Sequence, residues 1–143
     1  MPGMKELNFD TGLTTFTVNG VCEVSFNPTD LAFSERLFGA FDSLEEMERK
    51  YRDQVSKMAD RKEIFRFARE IDQDMRAVID RAFGKPVCED LFGATNVYAM
   101  ADGLSIWMNF FFAIMDEVDT AFAREQKATN PRIQKYMAKY KRA

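Results

Sequence analysis

Two short alternating runs flank the dipeptide Asn19-Gly20, and beyond residue 26 every segment reads with helical spacing. Thr14, Phe16 and Val18 precede the dipeptide; Cys22, Val24 and Phe26 follow it. Asn-Gly between alternating runs is a strong short-range hairpin signal, because both residues accept the positive φ that tight turns need. Loop length decides the register. A two-residue loop would set Val18 opposite Val21 and Phe16 opposite Glu23, mixing apolar and charged groups on one face. A three-residue loop, or a bulge at Gly20, pairs positions of like parity and gathers Phe16, Val18, Cys22, Val24 and Phe26 on one face. A buried face specifies register, so the longer loop is expected. Residues 1–12 form a lead-in, with 7–9 a candidate short strand.

From Asn27 onward the apolar spacing is three to four. Asn27 is expected as N-cap, with Pro28 at the first helical position and Asp30 in the first turn. That helix should reach about Phe41 and bury Leu31, Leu37, Phe38 and Phe41. Ser43 and Glu46 have capping-box spacing and predict a restart. Leu44, Met47, Tyr51, Val55 and Met58 continue the stripe, and Asp60 with Glu63 marks a break or kink. Ile64, Ala68, Ile71, Met75, Val78 and Phe83 form the next stripe, stopped by Gly84 and Pro86. Residues 87–92 read as a short helix. Asn96 is expected to cap a last long helix over about 97–127, ended by Asn130-Pro131. Its stripe is Val97, Met100, Leu104, Trp107, Phe111, Ile114, Val118 and Phe122. The predicted class is mainly α: an N-terminal β-hairpin followed by four or five helices in a small bundle.

Charge divides the chain. Among 143 residues with net charge −3, residues 1–125 hold all 23 acids against 14 bases, a net −9. Residues 126–143 hold Lys127, Arg132, Lys135, Lys139, Lys141 and Arg142 and no acid, a net +6. This predicts a hairpin-plus-helix domain over 1–125 and a basic C-terminal tail over 126–143. An acidic body with a basic tail suits self-association head to tail along a filament.

Histidine is absent. Its lack removes the Ser-His-Asp triad, the Cys-His pair, two-His iron sites and most zinc sites. No glycine pattern cradles phosphate, and Ser25, Ser34, Ser43, Ser56 and Ser105 lack a candidate base. The carboxylate pairs Asp72/Asp74, Asp116/Asp119 and Glu63/Glu70 read as solvated helix faces. No catalytic residue, metal ligand or cofactor is expected, and the chain reads as a binder, not an enzyme. Cys22 and Cys88 stand 66 positions apart and read as free buried thiols in a reduced cytoplasm. The most apolar stretch, residues 104–115, is shorter than the ~20 residues a bilayer needs, and no secretory signal is expected.

Two groups are candidates for binding protein. Trp107, Phe110, Phe111, Phe112 and Met115 make the last long helix apolar over much of its circumference. Such a helix is central in the core or meets a partner. Fourteen Phe exceed what a small core obviously needs. In the tail, Lys135, Tyr136, Lys139, Lys141 and Arg142 interleave cations with Ile133, Met137 and Tyr140. The tail is an inert frayed terminus, an amphipathic helix for an acidic or helical partner, or a weak nucleic-acid contact that the acidic body opposes.

The order of short motifs resembles a known group. It comprises Val18-Asn19-Gly20-Val21, Asp30 opening a charged helix, Phe83-Gly84, Cys88-Glu89-Asp90-Leu91-Phe92-Gly93, Thr95-Asn96 and a Lys/Arg-rich end. Over about residues 14–125 this is similar to the tail assembly chaperone-like proteins of long-tailed phages and prophages of Gram-positive bacteria. The chain departs from them in its N-terminal extension and in Phe110–Phe112. The resemblance implies a mostly helical chaperone in the cytoplasm of the bacterial host. Its client would be the tape measure protein, an apolar helical chain coated before the tail tube polymerises. It further implies absence from the finished virion and, in many members, a second, longer frameshifted form. It supplies no site residue. A small phage regulator or inhibitor of a host protein or nucleic acid, and a structural tail component, are the alternative readings.

Overall fold

The structure is a computed structural model and describes residues 3–140. Strands β1 (Thr14–Val18) and β2 (Cys22–Phe26) pair antiparallel, with Phe16 opposite Val24 and Val18 opposite Cys22. The loop is therefore the three residues Asn19, Gly20 and Val21, as the parity of the apolar positions requires. Asn19 and Gly20 have φ of 53° and 70°, and the Val21 N–H donates to the Val18 carbonyl at 3.1 Å. Cys22, Val24 and Phe26 are buried; Thr15, Thr17, Glu23 and Ser25 face out. Phe26 stacks on Phe16 at 4.8 Å and on Phe33 at 4.2 Å, which fastens the hairpin to the first helix. Residues 7–9 form no strand: Leu7 and Phe9 are exposed and no ladder reaches them.

Helix α1 spans Leu31–Val55 without interruption. Its N-cap is Asp30, which accepts from the Ala32 N–H at 2.9 Å. Asn27 instead accepts from the Thr29 N–H and hydroxyl, each at 2.8 Å, in a turn that precedes the helix. Which face of α1 is buried is set by the packing and not by where the helix starts. Phe33, Leu37, Ala40, Leu44 and Glu48 form the buried stripe, while Leu31 and Phe38, expected inside, are exposed. The restart expected at Ser43 does not occur. A local cap signal is worth about 1 kcal/mol, and it loses to a buried stripe that stays in phase only if the helix is continuous.

The break near residue 60 is present. Helix α2 (Arg61–Phe83) begins on Asp60, which accepts from the Lys62 N–H at 3.1 Å. It ends on Gly84 in the left-handed conformation, φ 68°, with the Lys85 N–H returning to the Asp80 carbonyl at 3.2 Å. Helix α3 (Cys88–Phe92) follows.

The last helix expected from 97 begins nine residues later. Residues 100–105 instead form a second hairpin, β3 (Met100–Ala101) and β4 (Leu104–Ser105), and only then does α4 (Ile106–Lys127) start. The turn is Asp102-Gly103, with φ of 56° and 78°. Positive φ is excluded from a helix interior, so Asp-Gly acts here as Asn-Gly does at residue 19. Helix α4 runs through the expected boundary at 125–126 and ends at Lys127. Helix α5 (Arg132–Tyr140) makes the basic tail helical. The architecture is mainly α, with the expected N-terminal hairpin and five helices.

Trp107 and Phe111 are fully buried at the centre of the core. Phe41 meets Trp107 at 5.1 Å, Trp107 meets Phe111 edge-on at 5.7 Å, and Phe83 meets Phe110 at 5.0 Å. Phe is thus largely spent in joining α1, α2 and α4, with tilted and edge-on rings that pairwise packing favours.

Candidate protein-binding surfaces

Helix α2 carries a polar row at four-residue spacing: the Ala68 carbonyl, Asp72, Arg76 and Asp80. The Ala68 carbonyl accepts from the Tyr98 hydroxyl at 2.7 Å. Asp72 accepts from the Val97 N–H at 2.8 Å and from Arg76 Nε at 2.9 Å. Arg76 Nη2 donates to the Gly93 and Thr95 carbonyls at 2.8 and 2.7 Å. Asp80 accepts from the Val87 and Cys88 N–H groups at 2.9 and 3.0 Å, capping α3. This row holds the irregular segment between α2 and β3. Asp72, read from the sequence as part of a solvated face, is a half-buried staple. Spacing on α2 hinted at the row, but its partners are backbone groups of a loop whose path no sequence pattern gives.

A second polar node lies inside. Glu48 is buried and accepts from the Ser105 hydroxyl and from Trp107 Nε1, the latter at 3.3 Å, with Arg52 Nη2 at 3.7 Å. A buried carboxylate needs such partners. It also satisfies the indole N–H, which lets Trp107 be fully enclosed.

Among the described residues no group of three or more Cys, Asp or Glu is placed to hold a metal ion. Cys22 and Cys88 are free and buried. Burial, then the hydrogen bond to Asp80, pushes the Cys88 thiol well above the usual thiol range, so it stays protonated and unreactive. Burial likewise raises the Tyr98 hydroxyl.

No family model matches the chain, and no curated protein and no solved structure matches it. No helix among the described residues is long and apolar enough to cross a membrane.

The expected aromatic contact site divides. Trp107 and Phe111 are fully enclosed and Phe110 is 7% exposed, so these three form core and offer almost no area to a partner. Phe41 of α1 covers α4 on one side, and Phe83 of α2 and Phe92 of α3 cover it on another. Phe112 remains exposed and Met115 half-buried, on the edge of α4 that faces α1 and solvent. Phe112 packs against Phe41 at 5.6 Å. Lys135, Tyr136 and Lys139 lie on α5, with Lys135 Nζ 5.0 Å from the Tyr136 ring centroid. Lys141 and Arg142 lie outside the described residues.

An uncharged groove lies beside the core. It has a volume of about 320 Å³ and lies between the β1 tip (Val18, Asn19), α3 (Leu91, Phe92) and the first turns of α4 (Ile106, Asn109, Phe110, Ala113). None of these eight residues is charged, in a chain that is 30% charged. The volume falls within the range of pockets that accept apolar groups.

Proposed function

We propose that the chain is a tail assembly chaperone of a long-tailed phage or prophage, working in the cytoplasm of its bacterial host. Its client is the tape measure protein, which it keeps soluble until the tail tube assembles; it is then left out of the virion. The resemblance over residues 14–125 suggests the family. The uncharged groove between the β1 tip, α3 and α4 is the observation that carries the binding reading. An apolar side chain projecting from an amphipathic client helix fits such a groove, because it leaves no charge buried on either partner. Holding a client in this way needs neither a nucleotide nor a metal.

The test is co-expression with the tape measure protein, the very long coiled-coil-rich reading frame expected just downstream. The client alone should be insoluble; with this chain it should become soluble and co-purify. Leu91→Lys and Ala113→Lys, placed on the groove walls, should each release the client while the helical content stays unchanged. A client that stays insoluble, or never co-purifies, overturns the reading. Recovery of this chain in purified virions would favour a structural tail component.

A further inference from the structure

Helix α5 and the seam between α1 and α4 have matching chemistry. On α5, Ile133 and Met137 are one turn apart and exposed, at 56% and 43%. Arg132 and Lys135 flank them. Neither cation is in an ion pair within the described residues.

The seam has the opposite character. On α1, Leu31, Glu35, Phe38, Asp42 and Glu45 follow one another at spacings of three and four and are all exposed. On α4, Met108, Phe112, Met115 and Asp119 keep the same spacing, with Phe112 and Asp119 exposed, the two methionines half-buried and exposed Asp116 beside them. The two stripes adjoin. Glu48 meets Ser105 and Trp107, whereas Phe41, two turns earlier on α1, meets Phe111 and Phe112 further along α4. The helices therefore run antiparallel, with Phe41 and Phe112 bridging them at 5.6 Å. Residues 106–123 of α4 contain acids but no base. Among the described residues Glu35, Asp42, Glu45, Asp116 and Asp119 enter no ion pair.

We propose that this acidic, Phe-rich seam binds α5 of a second copy of this chain. Ile133 and Met137 cover Phe38 and Phe112, while Arg132 and Lys135 face Asp42, Glu45, Asp116 and Asp119. The chain's own α5 is poorly placed to do this. In the structure every described side chain of α5 is exposed. The contact joins two different surfaces, so each copy offers one donor helix and one acceptor seam. Such heterologous contacts propagate into open chains unless geometry closes them.

The full-length chain is measured alone by sedimentation and light scattering across a concentration series, so the result is independent of any client. The mass should climb above 16.5 kDa with concentration and fall back as salt screens the charges. A donor variant, Ile133→Asp with Met137→Asp, should stay at 16.5 kDa. An acceptor variant, Phe38→Asp, should do the same, and Asp116→Lys with Asp119→Lys provides a second acceptor variant at exposed positions. Circular dichroism checks that each is folded. Mixing donor and acceptor variants restores one intact donor and one intact seam. The mixture should reach twice 16.5 kDa and stop there. A wild-type chain that remains at 16.5 kDa, variants that assemble like wild type, or a mixture that never pairs would overturn the proposal.

Discussion

Helices α4 and α5 are neighbours in sequence, both carry an apolar stripe, and they meet opposite fates. Helix α4 buries Trp107, Phe110, Phe111, Ile114, Val118 and Ala121 against the rest of the body. Helix α5 buries none of its described side chains. A stripe therefore says that something should cover a helix, and only the packing says whether this chain supplies the cover. For α4 the cover includes α1, α2 and α3. For α5 every described side chain stays exposed. Mutations on the two helices should separate stability from association.

The largest effect should come from Phe111→Ala. It removes a fully buried ring that touches Trp107, Phe110, Phe83 and Phe41, at a cost of about 3–5 kcal/mol in chemical unfolding. A loss under about 1 kcal/mol would mean that the α4 core is not packed as described. Glu48→Ala should cost less, about 1–3 kcal/mol, because it strands the Ser105 hydroxyl and the Trp107 N–H. Asp72→Ala, which strands the Val97 N–H and loosens Arg76, belongs in the same range of about 1–3 kcal/mol.

Alkaline pH should act more gently. The folded chain keeps a proton on Cys88 that the unfolded chain releases from about pH 8.5 upward. The folded state then binds more protons than the unfolded one, so stability is intact below that pH and declines above it. Cys88→Ala should flatten the decline seen in denaturant midpoints between pH 8 and 10. The smallest effect should follow deletion of residues 129–143, within about 0.5 kcal/mol of wild type. A large loss of stability on that deletion would erase the contrast between α4 and α5.

The N-terminal hairpin was legible because five apolar residues had one parity and only one loop length served them all. The α2 boundaries were legible because Asp60 and Gly84 state a start and a stop in local chemistry. Phase was harder. Asn27 and Asp30 are both good caps, and neither states which face of α1 meets the core; Leu31 and Phe38 lie outside it. The Asp102-Gly103 turn was hidden because Met100, Leu104 and Trp107 also fit a helical stripe. Two-residue strands are too short to show alternation against that background. Of the expected binding residues, Phe112 and Met115 keep a place at the edge of the α1–α4 seam, while Trp107, Phe110 and Phe111 belong to the core.

The amino-acid order by itself determined a mainly helical chain led by one hairpin, its charge division and its lack of histidine chemistry. Those properties are local or additive. Tertiary structure alone decided which Phe residues became interior, that Asp72, Arg76 and Asp80 became staples, and that α5 was left bare. Each of those outcomes depends on which surface arrives opposite a given side chain, and no periodicity along one segment contains that information.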